Sequence, residues 1–245
     1  MDEMARHYIG LLERANITGS ILLGGWSLGG YLSLAIARIL ADTPRATISV
    51  AGLVLIDSPY HVPWSTLPPD TSDLDIGDVP ALVQKAFELS DAMLEFWTLP
   101  DWDGPSGGGQ TVHLTVEKED FAVNTGHVLY RPLTGGYQLL ETKGRQQQPP
   151  TPAATKGITP PPGIIIRCVR PTPTKDTSHG LNALDIYRED PMLGWDREHP
   201  IFLKAVFDVD AHHFDVFGFD KTALLSQHLD QGLKLLDSLS MPEMY

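Results

Sequence analysis

Along residues 2–56, helically spaced apolar positions alternate with short continuous apolar runs. Met4, Ala5, Tyr8, Ile9, Leu11 and Leu12 recur at the spacing of one helical face, which predicts a helix over 2–15. Asn16 to Gly19 breaks the pattern, and Ile21-Leu22-Leu23 then reads as a short strand running into glycines. From Leu28 to Leu40 the chain is helical again, rich in Leu, Ala and Ile, until Asp42-Thr43-Pro44 stops it. The unbroken apolar run Val50 to Ile56, closed by Asp57-Ser58-Pro59, has the pattern of a strand buried on both faces. Strand, helix and buried strand in that order predict a parallel βαβ unit and an α/β fold.

The middle of the chain changes character. Residues 60–78 read as loop, 79–97 as a helix carrying Val79, Leu82, Val83, Phe87, Leu94 and Phe96, and 101–110 as turn-rich. Between Lys143 and Pro162 the glutamines and dense prolines cannot build a packed core, which predicts a long flexible surface loop. Gly163 to Val169 and Ile201 to Phe207 are again strand-like, and 220–239 is an amphipathic helix. There is no internal repeat.

Composition narrows the function class. The chain has 245 residues, 42% hydrophobic and 20% charged, which allows a sizeable core in one α/β domain or in one domain plus an inserted piece. A formal net charge of −13 argues against nucleic-acid binding and against attraction to an anionic membrane surface. A single cysteine, Cys168, allows no internal disulfide, and no Cys/His cluster suggests a metal. The acidic start, Met1-Asp2-Glu3-Met4, is unlike a signal peptide, and no apolar run is long enough to cross a bilayer. The expectation is a cytoplasmic protein.

The candidate chemistry lies where the first strand meets the helix after it. Gly25-Trp26-Ser27-Leu28-Gly29 matches G-x-S-x-G, and a strand before it and a helix after it are the context that this motif requires. There the serine would stand above the carboxyl edge of the sheet, with the Leu28 N–H and the positive end of the helix dipole as oxyanion donors. The plainer alternative is that Ser27 only caps the helix. The spacing is not G-x-G-x-x-G, so dinucleotide binding is a poor fit. A serine hydroxyl needs a base, and of nine histidines only His212 and His213 follow a buried strand and precede the terminal helix. The base needs an orienting acid. Asp57 ends the strand next after the serine, and Asp176 follows the 163–169 strand; position alone leaves both open.

Several segments together resemble a known family. Gly24 to Gly30, running on to Ala37-Arg38-Ile39-Leu40, is similar to the "GGWSxGG…ARxL" segment of thioesterase domains that end fungal polyketide synthases and NRPS-like enzymes. Gly52 to Pro59 resembles that family's "GLxLIDSP", Leu193-Gly194-Trp195 its "LGW", and Ala211 to Phe214 its "GxHF", with Ala211 standing where glycine is common. The resemblance implies an α/β-hydrolase fold with a mostly parallel sheet, flanking helices and a helical lid. It implies Ser27 as nucleophile, Asp57 as acid, His213 as base and no cofactor. Residues 60–160 would form the lid and flexible loop of a single domain, with Trp26, Phe87, Leu94, Phe96 and Trp97 against the acyl group. The implied partner is an acyl carrier protein bearing the substrate on phosphopantetheine, in secondary-metabolite biosynthesis. The family has more strands and an oxyanion loop ahead of the elbow, whereas 26 residues precede Ser27 here. The expectation is therefore that the first strands are missing. The alternative function is a catalytically impaired hydrolase-like fragment or assembly partner.

Overall fold

The computed structural model describes residues 1–43, 46–63, 66–67, 74–75, 77–109, 111–142, 157–175, 182–198 and 202–240. Asp176 and residues 143–156 of the proline-rich stretch lie outside the described residues.

Helix α1 (Asp2–Arg14), strand β1 (Gly19–Trp26), helix α2 (Leu28–Asp42) and strand β2 (Ile48–Ile56) follow the apolar pattern closely. Helix α3 (Ala81–Leu94) comes next, then strands β3 (Val112–Val116), β4 (Glu119–Val123), β5 (His127–Arg131) and β6 (Gln138–Glu141). The chain ends with β7 (Gly163–Cys168), the short α4 (Trp195–Glu198), β8 (Leu203–Val209) and α5 (Thr222–Ser240).

Six strands form one sheet in the order β1-β2-β7-β8-β5-β6, and β3 and β4 form a separate hairpin. Neighbours from β1 to β5 are parallel and β6 pairs antiparallel with β5. Alternation along the strands divides the core by face. Leu53, Leu55, Ile165 and Val206 pack with Tyr31, Leu34 and Ala37 of α2, whereas Val54, Ile164, Ala205 and Phe207 pack with Leu235 and Leu236 of α5. All of β7 and β8 is buried, as a parallel sheet covered on both faces requires. This is the mostly parallel, helix-flanked arrangement of an α/β hydrolase. No described helix is long and apolar enough to cross a membrane.

The range 60–160 differs from the expected lid and loop, because it also supplies β5 and β6 to the main sheet. β5 is five residues long and buried or half-buried, β6 is four residues long and exposed or half-buried, and neither carries an apolar run long enough to be told from loop.

The sheet register brings the carboxyl ends of β1, β2, β7 and β8 to one rim. Trp26 pairs with Ile56, Ile56 with Ile166, and Cys168 with Val209. Ser27, Asp57 and the loop carrying His213 all leave the sheet at that rim.

Candidate active site

One residue separates β1 from α2, so the chain must turn sharply at Ser27. It does so at φ 54° and ψ −120°, a conformation that costs any residue with a Cβ about 1–3 kcal/mol. The surroundings hold it there. The Ser27 N–H donates to the Ile56 carbonyl at 3.0 Å, and its carbonyl accepts from the Gly30 N–H at 3.0 Å and the Ser58 hydroxyl at 2.7 Å. Ser27 occupies the helix N-cap position, but its hydroxyl makes no capping hydrogen bond. The strained turn is therefore not explained as helix capping.

Gly25 makes the turn possible. A Cβ there would lie 2.5–2.7 Å from the backbone of Gly29, which cannot yield without opening α2. Gly25→Ala is expected to lose roughly 1–3 kcal/mol in urea denaturation. A Cβ on Gly29 would meet nothing, so Gly29→Ala should unfold at about the wild-type urea concentration.

Asp57 and His213 meet across the rim. His213 Nδ1 lies 2.8 Å from Asp57 Oδ2, and both residues are buried. Asp57 fills its remaining acceptor positions with the Cys168 N–H at 3.0 Å and both arms of the Arg188 guanidinium at 2.5 and 3.1 Å. Burial alone would raise its carboxyl, but the His213 hydrogen bond and the Arg188 charge outweigh it and hold the pKa at about 2. An ionised carboxylate only accepts, so the neutral imidazole must carry its proton on Nδ1, leaving Nε2 as the basic nitrogen.

Trp26 holds His213 from the other side. Its indole lies 4.9 Å from the His213 ring, centroid to centroid, and its N–H donates to the His213 carbonyl at 3.0 Å. Phe214 meets the His213 ring edge-on at 5.0 Å and in turn packs on Phe87 of α3 at 5.7 Å. His212 turns away to Asp215, whose carboxylate accepts the His212 backbone N–H at 2.7 Å. Of the two adjacent histidines, only His213 contacts Asp57.

Ser27 and His213 line one cavity of about 1040 Å³, together with Trp26, Leu28, Phe87 and Leu94. Phe96 and Trp97, also expected on the acyl wall, are elsewhere. Helix α3 ends at Leu94, so the helical spacing that would carry them inward stops there. Phe96 is 73% exposed, and Trp97 packs at a tilt on His61 and Tyr31, with ring centroids 5.4 and 5.9 Å away. His61 reaches the cavity instead, with Nε2 held by the Trp97 carbonyl at 2.9 Å and burial pushing its pKa down.

The Leu193-Gly194-Trp195 segment braces the Asp57 turn from outside the cavity. The Leu193 carbonyl accepts the Tyr60 N–H at 2.8 Å, and the Trp195 indole donates to the Ser58 carbonyl at 2.8 Å. Both bonds pin the turn that follows Asp57.

Two relatives match over nearly the whole chain. A probable thioesterase of Curvularia clavata is 42% identical over 96% of this chain and 76% of its own length. Another, of Purpureocillium lilacinum, is 34% identical over 98% of this chain and 76% of its own length. The chain belongs to this family of fungal thioesterases. A nonribosomal peptide synthetase of Aspergillus flavus is 23% identical over 92% of this chain, which there spans 6% of the protein. No family model matches the chain.

For this thioesterase the sequence did not reveal Arg188 or Ser58. A buried arginine looks like a surface one until its partners are known, and Ser58 reads as turn chemistry beside Pro59.

Proposed function

We propose that the chain is a serine hydrolase of thioesterase type that releases an acyl, polyketide-like chain from a carrier-protein thioester. Ser27 Oγ attacks the thioester carbonyl while His213 Nε2 takes the hydroxyl proton, and Asp57 stabilises the imidazolium through Nδ1. The tetrahedral oxyanion forms beside the Leu28 N–H and the positive end of α2. Collapse breaks the C–S bond; the phosphopantetheine thiolate leaves and takes the proton from His213. An acyl-serine ester remains. Water, or a hydroxyl of the acyl chain itself, then attacks that ester with His213 again accepting the proton. A second collapse returns the proton to Ser27 and frees an acid or a lactone.

The observation that carries this reading is the buried 2.8 Å contact of His213 with an ionised Asp57, on the rim where the strained Ser27 opens to the same cavity. Relatives named thioesterases support the thioester as the bond broken, and the synthetase match supports a carrier-bound substrate.

A fluorophosphonate probe tests it directly. The folded protein is expected to be labelled at Ser27, located by peptide mass spectrometry. A cooperatively melting protein that takes no label would remove the proposal and leave the impaired hydrolase-like reading.

A further inference from the structure

Asp57 is held by more than its histidine. All five N–H groups that an arginine side chain offers have an acceptor at Arg188. Nη1 donates to Asp57 Oδ1 at 2.5 Å and the Cys168 carbonyl at 2.6 Å. Nη2 donates to Asp57 Oδ2 at 3.1 Å and the Leu184 carbonyl at 3.3 Å. Nε donates to Asp185 Oδ1 at 2.8 Å. Asp185 is itself anchored, taking the Thr172 N–H at 2.6 Å and the Thr172 hydroxyl at 3.2 Å.

This geometry has two consequences for Asp57. A two-pronged contact fixes the plane of the carboxylate, so Oδ2 cannot swing away from His213 without breaking both arms. The guanidinium charge is also divided between two carboxylates, so the imidazolium faces an Asp57 charge that is partly offset. Other titratable groups around Asp57 are the buried Tyr31 phenol and Cys168 thiol, both pushed up by burial and the Asp57 charge and so neutral. On the His213 loop, Asp215 is paired with Arg170 at 2.9 Å and lies against His212. Among the described residues Arg188 is thus the cation in direct contact with Asp57, and Ala183, Leu184, Ile186 and Tyr187 just before it supply part of the cavity wall.

We propose that Arg188 is a positioning residue: its fork aims Asp57 at His213, and its charge sets the acid limit of the pH–rate profile. This rests on the proposed roles of Ser27, Asp57 and His213. No substrate atom need touch it.

The test compares wild type, Arg188→Met and Arg188→Lys in hydrolysis of p-nitrophenyl hexanoate across pH, with fluorophosphonate labelling of Ser27 and a thermal melt for each. Arg188→Met is expected to lose about 10²-fold in kcat, because the acid is misaimed, with KM nearly unchanged. Its acid limb should move up by about 1–2 pH units, since an unshared Asp57 charge favours the imidazolium. Arg188→Lys keeps the charge without the fork, so its limb should stay near wild type while kcat recovers only in part. If Arg188→Met does not fold, the lysine variant decides alone: lowered kcat with an unmoved limb supports the proposal. A lysine variant with unchanged kcat overturns it. So does a folded methionine variant with the wild-type limb, or a loss confined to KM. A wild type unlabelled at Ser27 sinks the parent reading first and this one with it, whereas a labelled wild type with an indifferent methionine variant sinks this one alone.

Discussion

Ser27→Ala is expected to lose about 10⁴- to 10⁶-fold in turnover of an acyl thioester and to keep its melting temperature. The loss is large because Asp57 and His213 can only pass a proton from a hydroxyl that is no longer there. What rate remains would come from binding and from the Leu28 N–H. Stability should hardly change, because the Ser27 hydroxyl makes no capping bond and its backbone bonds survive in alanine. Ser27→Gly separates strain from packing. At φ 54° and ψ −120° a Cβ is unfavourable, so glycine removes a cost that serine and alanine share. The glycine variant should be as inactive as alanine and melt no lower than wild type. An alanine variant within tenfold of wild-type turnover would end the case for Ser27 as the attacking group.

How much of this was legible beforehand follows from the range of each interaction. The βαβ unit over residues 19–56 could be read because its elements are long and apolar, and neighbours in sequence are neighbours in the sheet. G-x-S-x-G could be read because the steric demand is local: Gly25 meets Gly29 four residues on. β5 and β6 could not, since β5 is defined by pairing with β8 more than seventy residues later, and that pairing leaves no local period. Phe96 and Trp97 misled for a related reason. They continue an apolar pattern past the point where α3 ends, and the pattern does not say that the helix stops. Position narrows the candidate acid and base, and resemblance selects Asp57 and His213 among them. Their contact spans 156 positions in sequence, and only the register of β2, β7 and β8 brings it to 2.8 Å. Arg188 lay beyond both kinds of reading.

Asp57→Asn should cost activity and stability together, unlike the serine variants. Asparagine presents an amide where the carboxylate accepts from Nδ1, and an N–H turned toward the ring would favour the tautomer that leaves Nε2 protonated. In a serine protease triad the same aspartate-to-asparagine change costs about 10⁴-fold in kcat, and a similar fall is expected here. Arg188 meanwhile keeps Asp185 but loses its two-pronged partner while remaining buried. Breaking one side of a buried pair costs about 3–5 kcal/mol, and the retained Asp185 places this case at or below the lower end. A loss of about 3 kcal/mol corresponds to roughly 6–12 °C in melting temperature for a chain of this size. The sign of the pH dependence follows from Asp57 itself. Its folded pKa, about 2, lies below the ordinary 3.8, so ionised Asp57 stabilises the fold fully above about pH 4. That stabilisation fades as pH falls through about 2, where Asp57 protonates in the fold as well. The melting gap between wild type and Asp57→Asn should therefore be full at pH 6 and narrow steadily below pH 4. A gap that stayed constant to pH 2.5, or an asparagine variant as stable as wild type at pH 6, would mean that the carboxylate is not held ionised by its buried partners. Both the assignment of the acid and the clamp behind it would then fail.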